Sequence, residues 1–299
     1  MADQNIEKWY ETRSVRMIDV VTERPPQLSG LPARYLPLYD RALEAFSADD
    51  RVRAVWLHGA CGRGAADAGS DLDLSVAVRD ADFEEFAGQW RDWLAAITPT
   101  VVARPIGPGS FYCLTPTGER LDVISCSVSA VPDTPTTLRR RVVVLDRDGV
   151  DALVPPPDDP GPDTDRIAWL IEETLRQQAN WPVVHVRQDW LLGQVGVQTI
   201  QLHLYELFTE ANKPMPGMGP KQWSVKLTAA QRETLTALPV PTADRAALDH
   251  ARDAAISVFL REARLIAATY AVPWPAELEV AVRGYLAAEG FSLGPPFRS

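Results

Sequence analysis

Through the first half of the chain, short runs alternate apolar and polar side chains and are punctuated by glycine, proline and aspartate. RVRAVWLHG (51–59) and DLDLSVAV (71–78) read as strands on either side of a glycine-rich turn. TVVARPIG (100–107), SFYCLTPT (110–117), RLDVISCSVS (120–129) and the short RRVVVLD (140–146) read as further strands. Helical periodicity appears in LPARYLPLYDRALEAF (31–46), where Leu36, Tyr39, Leu43 and Phe46 recur every three or four residues. It returns in ADFEEFAGQWRDWLAAI (81–97), with Phe83, Phe86, Trp90 and Trp93 on one face.

The pattern then changes. VPPPDDPGPDTD (154–165) is rich in proline and aspartate, the composition of a stiff, solvated linker. Everything beyond it has helical period: DRIAWLIEETLRQQANW (165–181), a single long VVHVRQDWLLGQVGVQTIQLHLYELFTEAN (183–212), TAAQRETLTAL (228–238), ADRAALDHARDAAISVFLREARLIAATYA (243–271) and AELEVAVRGYLAAEG (276–290). Asn212 with Pro214, and Pro273 with Pro275, serve as helix stops. The expected organisation is an irregular segment over residues 1–30, an α/β (α+β) domain with a mixed sheet over 31–153, a linker over 154–165, and an all-α helical bundle over 166–299.

Composition narrows the function classes. The 299 residues are 46% hydrophobic and 23% charged, a globular balance, with 40 acidic against 30 basic side chains. The net charge of −10 divides evenly, −5 to residue 150 and −5 after it, so no basic domain exists to neutralise a nucleic-acid backbone. Three cysteines, Cys61, Cys113 and Cys126, give neither an even disulfide framework nor a C-x-x-C pair, which suits a reducing compartment. The N-terminal stretch is mixed and charged, without the apolar core of a signal peptide, and no apolar run is long enough to span a membrane. A cytoplasmic protein is the expectation. Lysine is scarce: of Lys8, Lys213, Lys221 and Lys226, the last three cluster.

The densest chemistry lies in WLHGACGRGAADAGSDLDLSVAV (56–78). Asp71 and Asp73 are two residues apart on an expected strand and project from one face. Carboxylates so placed repel unless a cation lies between them, and hard oxygen ligands select Mg²⁺. Upstream, Gly59, Gly62 and Gly64 make a turn whose N–H groups can approach phosphate oxygens, and a helix starting after Gly62 would add partial positive charge. Arg63, within the loop, can reach the same oxygens. Asp122 alternates with Leu121 and Val123, so it converges on Asp71 and Asp73 if the two strands are neighbours. Three carboxylates then suit phosphoryl transfer with two metal ions, with Asp122 a ligand, a general base toward an incoming hydroxyl, or both.

Gly59 and Ala60, the Gly/Arg-rich loop, and Ser70-Asp71-Leu72-Asp73-Leu74 resemble the signature of the DNA polymerase β-like nucleotidyltransferase superfamily, in particular the bacterial nucleotidyltransferases of aminoglycosides and lincosamides. Ala60 departs from that pattern, since many relatives carry a serine there whose hydroxyl contacts phosphate. The helical C-terminal region also matches the layout of aminoglycoside adenylyltransferases. NKPMPGMGPKQWSVKLTAAQRETLTALP (212–239) is similar to their loop and helix, in which a lysine approaches the triphosphate; Lys221 matches best and Lys226 second.

The resemblance implies a Mg²⁺-dependent enzyme, using ATP or another nucleoside triphosphate, that moves a nucleotide to a hydroxyl of a small molecule. Gly59, Ala60, Arg63, Ser70, Lys221 and Lys226 would contact the nucleotide, and Asp71, Asp73 and Asp122 the metal ions. An aminoglycoside-type antibiotic is the implied acceptor, with Asp189 pairing to an amine and Trp190 stacking on a ring; Asp165, Glu172 and Glu173 are further acids able to line an acceptor cleft. Two other readings stand beside it: the same chemistry on a protein or RNA acceptor, and a non-catalytic nucleotide-binding regulator or antitoxin-like protein, which Ala60 would suit.

Overall fold

A computed structural model describes residues 23–215, 219 and 221–294. The irregular segment expected at the N-terminus therefore lies mostly outside the described residues, although Pro26–Gly30 forms a 3-10 turn that buries Leu28. The chain divides into two compact units, one ending at Asp158 and the other running from Asp159, Gly219 excepted.

In the first unit, β1 (Val52–Leu57), β2 (Leu72–Val78), β3 (Val102–Gly107), β4 (Ser110–Leu114), β5 (Arg120–Ser127) and β6 (Val142–Asp146) form one sheet in the order β3-β4-β5-β2-β1-β6. The β2–β5 pair is parallel and places Leu72 opposite Leu121 and Asp73 opposite Asp122; the other pairs are antiparallel, which makes the sheet mixed. The strands follow the alternation in the sequence, with ends trimmed where turn residues begin.

Leu72, Leu74, Val76 and Val78 of β2 share a dry core with α1 (Leu36–Ala48), α2 (Phe83–Gly88) and α3 (Trp90–Ile97). Phe46, Phe86, Trp90, Trp93 and Phe111 meet there with ring centroids 5.2–5.4 Å apart. The three phenylalanines are fully buried, each contributing about 1.5–3 kcal/mol. The helix expected over 81–97 is in fact two, which meet at Gln89 just after Gly88, a poor helix former. The other sheet face carries only a small apolar patch, Ala54, Trp56, Ala77, Val131, Val150 and Val154.

The second unit is all helical: α4 (Thr164–Gln178), α5 (Trp181–Arg187), α6 (Trp190–Ala211), α7 (Ala229–Thr236), α8 (Arg245–Thr269) and α9 (Ala276–Ala288). Asp163 and Asp244 cap α4 and α8, and Thr228 with Gln231 forms a capping box on α7. The single long helix expected over 183–212 is broken. Gln188 adopts a left-handed conformation (φ 52°), and the Asp189 side chain accepts from the Leu192 N–H to cap a new helix, α6. An aspartate that can bond its own following backbone prefers that cap to a helix interior. Leu170, Ile171, Val197, Leu204, Phe208, Ile256 and Phe259 form the core of this unit. Among the described residues, no helix is long and apolar enough to cross a membrane.

Candidate metal centre

The parallel register of β2 and β5 assembles the site. Asp73 and Asp122 are direct partners, and Asp71 stands one residue before β2, at the position where the alternation returns to the same face. Carboxylate oxygens of Asp71, Asp73 and Asp122 lie within 4.8 Å of one another, and all three residues are half-buried. Three anions at that separation repel strongly. An all-oxygen donor set of this size suits a hard divalent cation such as Mg²⁺.

The turn before β2 is built around the same carboxylates. His58 donates its backbone N–H to the Asp73 carbonyl at 3.0 Å, and the chain then turns through a single helical turn, Gly59–Gly62. Gly59 has φ +56°, and a Cβ on it would lie 1.7 Å from Asp73 Oδ2. Only glycine allows the backbone to press so closely on the Asp73 carboxylate. Gly62 is also constrained, because a Cβ there would meet the Arg140 carbonyl oxygen at 2.5 Å. The helical turn starts at Gly59 rather than after Gly62, where the sequence pattern had put a helix start. Gly62, Arg63, Gly64 and Ala65 donate back into the turn, whereas Ala60 and Cys61 donate to no backbone carbonyl among the described residues.

Two guanidinium groups border the carboxylates. Arg63 is half-buried with no partner for its Nε among the described residues, and desolvation pulls its pKa down against the opposing pull of Asp73, Cys61 and Asp71. Arg120, which the motif reading did not single out, places Nη1 3.7 Å from Asp71 Oδ2 and donates from Nη2 to the Gly69 carbonyl at 2.9 Å. Desolvation opposes its charge, but Asp71, Tyr35 and Asp122 raise its pKa overall. The signal was available: Arg120 and Asp122 are two apart on one strand, as Asp71 and Asp73 are at the start of the other.

Ser70 closes the loop leading into β2. Its hydroxyl donates to Asp67 Oδ1 at 2.9 Å and accepts the Asp67 N–H at 3.0 Å. Cys61 and Cys113 are buried, and Cys126 is half-buried; burial pushes each thiol up to about 11, as expected of small core residues.

Beyond the triad on the same sheet face, a cavity of about 90 Å³ is floored by Ser75, Ile124 and Cys126. His58 lines it, only 3% exposed, with Nε2 2.5 Å from Ser75 Oγ and the Arg140 and Leu138 backbone beside the ring. Burial, reinforced by Arg141, lowers the His58 pKa to about 4, so the ring is neutral at physiological pH. Arg141 is anchored by Asp151, which also accepts from Trp56 Nε1 at 2.8 Å.

The remaining residues singled out from the sequence belong to the helical unit. Lys226 ends the 3-10 turn Ser224–Lys226, and exposed Lys221 precedes it. Asp189 is the N-cap of α6, and Trp190 stands edge-on to His185 with ring centroids 5.4 Å apart. Asp165 and Glu172 are exposed. Glu173 is committed to Arg176, with two bonds of 2.7 Å, and this pairing, with Gln177, holds its carboxyl down at about 2.

No family model matches the chain, and no curated protein matches it. Among solved structures, it is similar to an aminoglycoside 6-adenyltransferase from Bacillus subtilis, at 14% identity over 90% of this chain and 100% of that chain, with a TM-score of 0.37.

Proposed function

We propose that the chain is a Mg²⁺-dependent nucleotidyltransferase that moves a nucleoside monophosphate, AMP from ATP, to a hydroxyl of a small molecule and releases pyrophosphate. The observation that carries this reading is the convergence of Asp71, Asp73 and Asp122 beside a turn whose Ala60 and Cys61 N–H groups donate to no backbone carbonyl among the described residues. Asp71 and Asp73 would hold the ion that accompanies the triphosphate, and Asp122 would share a second ion with them. Bound Mg²⁺ would neutralise triphosphate charge and acidify the acceptor hydroxyl.

The chain's own groups do the rest. The Gly59–Gly62 turn offers the Ala60 and Cys61 N–H groups to phosphate oxygens, and Arg63 adds a charge-assisted donor. Ser70 holds the loop that delivers Asp71. Asp122 accepts the proton of the acceptor hydroxyl as its oxygen attacks the α-phosphorus, and the bond to pyrophosphate breaks. Lys221 and Lys226 are assigned to the triphosphate. Asp189, through the carboxylate oxygen not used in capping, and Trp190 are assigned to an acceptor of aminoglycoside type.

The test is pyrophosphate release by the full chain with each nucleoside triphosphate and a panel of aminoglycosides and lincosamides, with and without a chelator. Release that needs Mg²⁺ and an acceptor, and that disappears in Asp71→Ala and Asp73→Ala, supports the reading. Turnover only with a protein or RNA acceptor would keep the chemistry and change the substrate. Nucleotide binding without turnover would make the chain a regulatory binder, consistent with Ala60.

A further inference from the structure

A cavity of about 350 Å³ opens among α4, α5 and α6 of the helical unit. This volume suits a small organic ligand. Trp181, Val184 and Ile200 give it an apolar wall. Gly196, exposed on α6, borders its mouth, where an added Cβ would meet no atom within 4 Å. Packing does not demand glycine at this position, and glycine weakens a helix interior. What the missing side chain preserves is the open space.

The polar groups on the wall define the ligand. The Thr174 hydroxyl donates to the Leu170 carbonyl at 2.7 Å, so its oxygen accepts the Nδ1 proton of His203 at 2.8 Å. Burial lowers the His203 pKa and keeps the ring neutral, which leaves Nε2 as an acceptor with no hydrogen-bond partner among the described residues. The neighbouring carboxylates of Glu173 and Glu206 are held by Arg176 and Arg166, and no acidic residue lines the cavity. Arg187, at the rim, is exposed and pairs with no carboxylate among the described residues.

We propose that this cavity binds a small organic acid with an apolar body and a hydroxyl or N–H donor. The carboxylate pairs with Arg187, the donor bonds His203 Nε2, and the body lies against Trp181, Val184 and Ile200. Among the described residues no acid lines the wall, so the cavity offers a polycation no carboxylate to pair with. The cavity uses none of the residues assigned to nucleotidyl transfer, although Arg187 and Leu192 flank Asp189 and Trp190 along the chain.

The experiment titrates 4-hydroxyphenylacetate into the full chain, followed by tryptophan fluorescence and calorimetry. The expected result is saturable binding at one site with a dissociation constant below about 1 mM. Gly196→Leu weakens it by about tenfold or more at an unchanged or raised melting temperature, and Arg187→Gln by about threefold or more. Asp71→Ala binds as the parent does. Tyramine, which replaces the carboxylate with an ammonium group, does not bind. The proposal is overturned by no saturable binding up to about 10 mM, by binding that survives both cavity variants, or by tyramine binding as tightly as the acid.

Discussion

On one face of β2, Leu72, Leu74, Val76 and Val78 are at most 2% exposed in a dry core. On the other, Asp73 meets Asp122 and Gly59, and two residues on, Ser75 holds a buried neutral histidine. The backbone and the register are shared; the demands on them are opposite. The apolar face gains free energy with every atom removed from water, while the acidic face holds like charges together against their repulsion. The strand tolerates the second because the first fixes where it lies.

Substitutions that act on one face alone test this division. The largest effect expected is on activity: Asp73→Ala lowers nucleotidyl transfer by about a thousandfold without lowering the melting temperature, since it removes repulsion. A variant that loses both would show the acidic face to be part of the framework. Leu74→Ala should do the reverse, costing about 2–5 kcal/mol in urea denaturation with activity per folded molecule unchanged. Gly59→Ala joins the two faces, because its Cβ would collide with Asp73 at a left-handed backbone position. It should cost about 2 kcal/mol of stability and weaken Mg²⁺ binding measured by calorimetry.

Next comes pH. His58 has a folded pKa of about 4 against an ordinary value of 6.5, so the unfolded chain takes up the proton first. Its contribution is intact above pH 6.5 and is lost as pH falls toward 4, about 2 kcal/mol between pH 7 and pH 5. His58→Asn should flatten that part of the stability–pH profile; an unaltered slope would assign it to other groups. The smallest effect is expected from Ala60→Ser, which adds a hydroxyl beside the Ala60 and Cys61 amides and should lower KM for the triphosphate by about threefold.

Much of this was legible before any coordinates. A two-residue period marked the strands at 51–59 and 71–78, and the same period put Asp71 with Asp73 and pointed to Asp122 as their partner. Arg120 obeys the same alternation, yet a charge acquires meaning only when register supplies its neighbour, here Asp71. The His58–Ser75 contact likewise depends on Trp56 lying opposite Ser75 in the antiparallel pair. The helix boundary at Asp189 was missed because an apolar period ran through it, while the outcome was decided by one side chain bonding the Leu192 N–H. The cavity beside α6 has no signature in sequence at all, since Gly196 reads there only as a weak helix former.

The parallel pairing of β2 with β5 has a bearing on how this architecture can change over time. Asp73 and Asp122 face each other because two adjacent strands run in the same direction, so the chain joining them must cross over: α2 and α3 leave the sheet, and the β3–β4 hairpin rejoins it on the far side of β5. Lengthening or exchanging a surface turn in that excursion leaves the carboxylates where they are, provided the strand ends return in step. The carboxylates are thereby insulated from variation in the segment between them, which leaves that segment room to diversify while the triad stays put.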